Sequence, residues 1–107
     1  MTTAPTVGPT LADIEQARDV VYRVVERTPM ESSRYLAELL GSPVFLKCEN
    51  LQRTGSYKVR GALNALLVAR ERGDRRPVIA ASAGNHAQGL AWAAHRLGMQ
   101  AITVMPV

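Results

Sequence analysis

The chain has 107 residues, a formal net charge of +4, 47% hydrophobic residues and 21% charged residues. This is the composition of an ordinary globular protein with apolar material for one small core, and it excludes fibrous, low-complexity and charge-driven disordered chains. The positive charge does not point to nucleic acid. The densest basic stretch, Arg70, Arg72, Arg75 and Arg76, is broken by Glu71, Gly73 and Asp74 and carries no aromatic for base stacking. Cations gathered at a helix C-terminus, where the helix dipole favours them, are the simpler account.

Residues 1–9, with Pro5, Gly8 and Pro9, read as a flexible leader. They lack the apolar core of a signal peptide, and no run in the chain is long enough to cross a membrane, so the cytoplasm is the expected compartment. Thr10 with Asp13 resembles a capping box, and Leu11, Ile14, Val21, Val24 and Val25 recur at helical spacing. That spacing predicts a helix running to just before Thr28-Pro29, because a residue preceding proline avoids the helical region. Ser32 or Ser33 caps a second predicted helix through Tyr35, Leu36, Leu39 and Leu40, closed by Gly41. Val44–Cys48 is a short strand-like run, and Asn50–Gly55 is rich in turn residues. Helical periodicity returns from Ser56 through Leu63, Leu66 and Leu67 to Arg72, with Gly73 at its end.

Val78–Ala81 is a compact apolar run bounded by Pro77 and Ser82, and reads as a buried strand. Asn85–Leu97 is helical in pattern with Gly98 as its C-terminal cap, and Ala101–Met105 is a second buried strand. Strand, helix and strand in about thirty residues form a βαβ unit, which makes the two strands parallel and asks for cover on both faces. The fold class is therefore α/β, a parallel sheet with flanking helices. A lone βαβ unit is an incomplete sheet, so the residues are expected to be a fragment of a longer protein or to need a partner. The lone Cys48 has no second cysteine for a disulfide or metal site and reads as a half-buried thiol. His86 and His95 are nine apart with no metal-ligand spacing, so no metal is expected. Trp92 reads as core packing.

Two segments carry chemistry. In ENLQRTGSYKVRGA, Lys58 falls in the first turn of a helix capped by Ser56. A lysine that attacks a carbonyl must be neutral, and the positive pole of a helix N-terminus favours a neutral amine. Taken alone, an ordinary exposed lysine accounts for Lys58 as well or better. The second segment, ASAGNHAQGLA, lies between a buried strand and the helix after it. Ligands in α/β sheets bind beyond the C-terminal ends of strands, and a helix N-terminus offers free N–H groups to an anion. Ser82 adds a hydroxyl, Asn85 an amide and Gly84 room for close approach, so a small carboxylate is the expected guest. A plain helix cap by Ser82 or Asn85 explains the same residues. The segment is neither a phosphate loop ending in Gly-Lys-Ser/Thr nor a dinucleotide fingerprint.

Together, in this order, the two segments resemble the threonine/serine dehydratases (threonine ammonia-lyases), which are lyases of the tryptophan-synthase-β-like group, fold type II of the pyridoxal-phosphate enzymes. The resemblance spans Leu11 to Val107. It implies that residues 10–56 belong to the N-terminal part of a large cofactor-binding domain and 57–107 to the start of a small one, with the βαβ unit at 78–105. It implies pyridoxal 5'-phosphate as cofactor, with Lys58 carrying it as a Schiff base and moving the substrate's α-proton. Asn85 then bonds the cofactor's phenolic oxygen and Tyr57, often Phe in the family, packs near its ring. Ser82, Ala83, Gly84, Asn85 and His86 grip the substrate carboxylate. The implied reaction is β-elimination of water from threonine, or serine, to a 2-oxo acid and ammonia, as in isoleucine biosynthesis or threonine catabolism. A small amino-acid substrate, no nucleic acid, no membrane and a homo-oligomeric parent are expected.

The resemblance leaves other outcomes open. One is a serine racemase, which carries a second serine where Ala83 stands; Ala83 has no proton to give. Others are a β-replacement synthase, and a truncated product or the partner of a complementing half. The family's glycine-rich phosphate loop and its partner for the pyridine nitrogen do not occur in these residues. The 107-residue chain alone is accordingly expected to show no dehydratase activity, and measurable 2-oxobutanoate formation from threonine by it would refute the fragment reading.

Overall fold

A computed structural model describes residues 8–107. Helix α1 spans Leu11–Val21, strand β1 Met30–Ser32, helix α2 Arg34–Leu40 and strand β2 Phe45–Lys47. A short 3-10 turn at Glu49–Leu51 leads to helix α3, Lys58–Glu71, then β3 at Val78–Ala81, α4 at Asn85–Leu97 and β4 at Ala101–Val104. β3 and β4 pair in parallel, from Val78 beside Ala101 to Ala81 beside Val104, with α4 as the crossover, which is the expected βαβ unit. β1 and β2 form a separate antiparallel pair, with Met30 beside Lys47 and Ser32 beside Phe45.

The core lies between α1, α3 and α4. Val21 and Val25 meet Val59, Ala62, Leu63 and Leu66 of α3 and Leu90, Ala93 and Ala94 of α4. Val59, Leu63 and Ala93 are fully buried. Burial of the branched side chains contributes roughly 1.5–3 kcal/mol each. Small residues on α4 let it lie close along α3. On the sheet, Val78, Ala80 and Ala101 pack against this core, while Ile79, Ala81, Ile102 and Val104 face outward and are exposed. The expectation of two buried strands is thus corrected: within the described residues helices cover one face only.

Three other expectations are corrected. α1 begins at the capping box of Thr10 and Asp13, as predicted. It ends at Val21, well before Thr28, because the backbone at Glu26 is engaged elsewhere: Glu26 N–H donates to Gln52 Oε1 at 3.0 Å, and Gln52 Nε2 donates to Glu26 O at 3.0 Å. Leu11 and Ile14, assigned to the apolar face, are exposed. The second helix is capped by Ser33 and closed by Gly41, as predicted, yet Tyr35, Leu39 and Leu40 on it are exposed.

One polar cluster ties the first half of the chain to the start of α3. Arg60 grips Glu49 with two bonds, Nε to Oε2 at 2.8 Å and Nη2 to Oε1 at 2.7 Å. Its guanidinium lies 4.9 Å from the centre of the Tyr22 ring. The Thr28 hydroxyl donates to Glu49 Oε1, and Lys47 Nζ donates to Thr28 O. Thr28 and Gln52 are buried, so nearly every polar group here is answered by another. The Arg60 bonds hold the Glu49 carboxyl at about 2, below its ordinary 4.5; burial opposes them and the Thr28 hydroxyl reinforces them. A carboxyl lowered in the folded state gives stability that is complete above its unfolded value and is lost as pH falls through the folded one. After allowance for solvent screening, this group is expected to lose on the order of 1–2 kcal/mol between about pH 5 and pH 2. Denaturant unfolding across that range checks it: Glu49→Gln should show a shallower acid decline than the parent chain, and identical slopes would contradict it.

Candidate functional site

The site forms where α3 begins and where β3 hands over to α4. Ahead of α3, Gly55 closes a turn by donating its N–H to Gln52 O at 2.8 Å, with φ +72°. Glycine takes that left-handed conformation without strain. Lys58 is the first residue of α3. The expected side-chain cap is corrected: Tyr57 is the cap residue and makes no capping bond, while Ser56 Oγ only accepts a long 3.4 Å bond from Lys58 N–H. The Lys58 side chain is half-buried, and its Nζ stands 5.1 Å from the centre of the exposed Tyr57 ring. Lys47, the other lysine of the chain, has its amine engaged by Thr28 O.

At the second segment, Ser82 N–H donates to Val104 O, which extends the parallel ladder by one bond. The Ser82 hydroxyl then accepts from Gly84 N–H at 3.4 Å and from Ala87 N–H at 3.2 Å. The plain cap is therefore real for Ser82, which serves the backbone from three residues ahead of α4 and keeps its own O–H to donate. Gly84 precedes α4 at φ -136° and ψ -141°, with open space where a side chain would stand, and Asn85 and His86 start the helix with exposed side chains. The first N–H groups of any helix have no intrahelical acceptor, so those of Asn85 and His86 are free to meet an anion. Ala81, Ser82 and Ala83 also line an open hollow of about 460 Å³ at the C-terminal ends of β3 and β4, shared with Val104, Met105 and Pro106.

The two segments come together at Gly89. A Cβ built there would stand 3.0 Å from the Lys58 carbonyl carbon, 3.1 Å from Val59 N and 3.3 Å from Lys58 Cβ. Asn85 lies four residues before Gly89 and so occupies the same face of α4, one turn nearer its start. The backbone and Cβ of Lys58 and the first half of α4 thus lie against each other. Gly89 was not among the residues singled out from sequence. Its signal was a glycine inside a helix, which is destabilising by about 1 kcal/mol relative to alanine and so asks for a packing reason.

Among the described residues, no group of three His, Cys, Asp or Glu is placed to hold a metal ion. No helix there is long and apolar enough to cross a membrane. His86 and His95 are both exposed, and Trp92 packs at the core margin. Cys48 is half-buried, one residue past β2.

A half-buried lysine at the start of α3, lying through its backbone against the helix that follows the β3 loop, sets the class: an α/β protein with a parallel βαβ unit. The family within that class follows from comparison. Residues 21–107 match the family described as pyridoxal-phosphate dependent enzymes, and the chain belongs to it. Over 97 residues it is 50% identical to an L-threonine ammonia-lyase of Thermotoga maritima, an alignment covering 91% of this chain and 24% of the relative. Among solved structures, a threonine deaminase from T.th. matches with a TM-score of 0.77 and 45% identity over 92% of this chain and 34% of that one. A pyridoxal 5'-phosphate-dependent aspartate racemase matches with a TM-score of 0.84 and 41% identity over 96% of this chain and 33% of that one. The chain thus spans a quarter to a third of the length of these proteins.

The residues present fit the aldehyde end of the family's cofactor, for which a lysine amine is the chemical partner, and they fit a carboxylate beside it. Removal of the Ser82 hydroxyl should loosen this corner. Ser82→Ala is expected to destabilise the chain by about 1 kcal/mol, as loss of a helix cap does. An unchanged thermal midpoint would show that Ala87 N–H gains nothing from it.

Proposed function

We propose that this chain supplies the reactive lysine and the carboxylate-gripping loop of a pyridoxal-phosphate-dependent lyase that removes water and ammonia from threonine, with serine as a second substrate. The observation that carries the reading is the packing of Gly89 on Lys58, which brings the backbone of the lysine against the helix whose start follows the loop. The 50% identity to an L-threonine ammonia-lyase supports the choice of substrate.

In this reading Lys58 holds the cofactor's aldehyde carbon, Asn85 bonds its phenolic oxygen and Tyr57 lies beside its ring. The cofactor, when bound, serves as the electron sink that makes the substrate's α-hydrogen acidic. The remaining work falls to the chain's own groups. The loop of Ser82, Ala83, Gly84, Asn85 and His86 receives the substrate carboxylate, through the N–H groups of Ala83, Asn85 and His86 rather than those of Ser82 and Gly84, which are already bonded within the chain, and so fixes which bond at the α-carbon faces Lys58. Lys58 Nζ, as a free amine, would take the α-proton. Loss of the β-hydroxyl as water leaves an enamine that is released and takes up a water, giving 2-oxobutanoate from threonine, or pyruvate from serine, and ammonia.

The aspartate racemase neighbour points to a second reading, inversion at the α-carbon. Inversion needs a proton donor on the face opposite the lysine, and the methyl group of Ala83 offers none. One assay separates the two, by following both 2-oxo acid formation and the chirality of recovered substrate. In the longest protein that carries this chain, Lys58→Ala is expected to abolish the visible absorbance of lysine-bound cofactor and 2-oxo acid formation from threonine, with the circular dichroism spectrum retained. A chromophore that survives the substitution would remove Lys58 from its role.

A further inference from the structure

We propose that Gly89 is a positioning residue: the absence of its side chain sets where Lys58 stands relative to the loop at Ser82–His86. This rests on the reading of Lys58 as the carbonyl-binding lysine and adds to it the residue that aims it.

The argument begins with what surrounds Gly89. It is buried in the interior of α4, four residues past Asn85. An added Cβ would meet the Lys58 carbonyl carbon at 3.0 Å and Val59 N at 3.1 Å, closer than side-chain carbons ordinarily come. Both are backbone atoms, so no rotamer change relieves the contact; the first turn of α3 must move as a whole. It has little freedom to do so. Val59, next to Lys58, is fully buried, and Arg60, two residues on, is fastened to Glu49 by two bonds. The first turn of α3 is therefore held between the Glu49 carboxylate and the bare backbone of Gly89. Gly61 provides the contrast. It lies in the same turn of α3, exposed, with nothing within 4 Å of an added Cβ. A methyl group at Gly61 changes helix propensity alone, whereas a methyl group at Gly89 changes the distance between two elements of the site.

The chain has two lysines, so each reports on the other. The full chain is incubated with pyridoxal 5'-phosphate, reduced with borohydride, and the labelled peptides are quantified by mass spectrometry. Lys58 is expected to label ahead of Lys47, whose amine is engaged by Thr28 O. Gly89→Ala, made in the Gly61→Ala background to keep α3 formed, should lower labelling of Lys58 on the order of three- to tenfold, in line with the sensitivity of reaction to small misplacements. Labelling of Lys47 should not change, and Gly61→Ala alone should match the parent chain. Asn85→Ala should absorb most of the Gly89→Ala effect in the double variant, because the shift matters only against an intact loop. Undiminished Lys58 labelling in a folded Gly89→Ala variant overturns the proposal and leaves the reading of Lys58 standing. Loss of the fold in that variant also overturns it, since the glycine is then a folding requirement. Equal labelling of the two lysines in the parent chain removes the reading itself and the proposal with it.

Discussion

The bidentate pair between Arg60 and Glu49 is the constraint on which the rest of this structure turns. It joins three stretches distant in sequence: the segment after α1 through Thr28 and Tyr22, the turn after β2 through Glu49, and the first turn of α3 through Arg60. Both side chains are largely shielded, at 24% and 14% exposure, and each offsets much of the desolvation cost of the other's charge. Gln52 completes the cluster by taking both backbone groups of Glu26. The region carries little regular structure, and hydrogen bonds do the holding that helices and strands do elsewhere.

That arrangement explains why the residues around Lys58 form a recognisable run. Glu49, Gln52 and Arg60 build the cluster, Gly55 makes the turn, and Lys58 lies over the Tyr57 ring at the start of α3, the pair we propose for the site. Structural and chemical roles alternate within a dozen residues. A second anchor comes from the other side, where α4 touches Lys58 through Gly89. The backbone that carries Lys58 is therefore held from both directions, as the role we propose for its amine requires.

Much of this was legible in the sequence, and the failures have physical causes. The βαβ unit could be read because its signals are local: two apolar runs, a helical stripe and a glycine at the αL cap, Gly98 at φ +65°. Asn85–Leu97 matched to the residue. The end of α1 could not be read, because Val24 and Val25 keep the helical period while the deciding partner, Gln52, lies 26 residues from Glu26. β1 could not be read either: Met30, Glu31 and Ser32 show no alternation, all three are exposed, and only their ladder to β2 defines them. The loop before α4 was read as an anion cradle or a cap, and Ser82 proves to be a cap while the neighbouring N–H groups stay open. Gly89 could be seen in the sequence but not interpreted, since its meaning lies in the atoms it faces.

The uncovered face of the parallel pair has a consequence for how these residues behave in solution. Ile79, Ala81, Ile102 and Val104 form an apolar strip two strands wide, and each strand has an outer edge of N–H and C=O groups with no ladder partner among the described residues. Such an edge is a template for any extended segment that can align with it. Polypeptide that lies down there gains main-chain bonds and hides the strip at once. An exposed strip and a bare edge on the same pair of strands favour sideways association over a solitary chain.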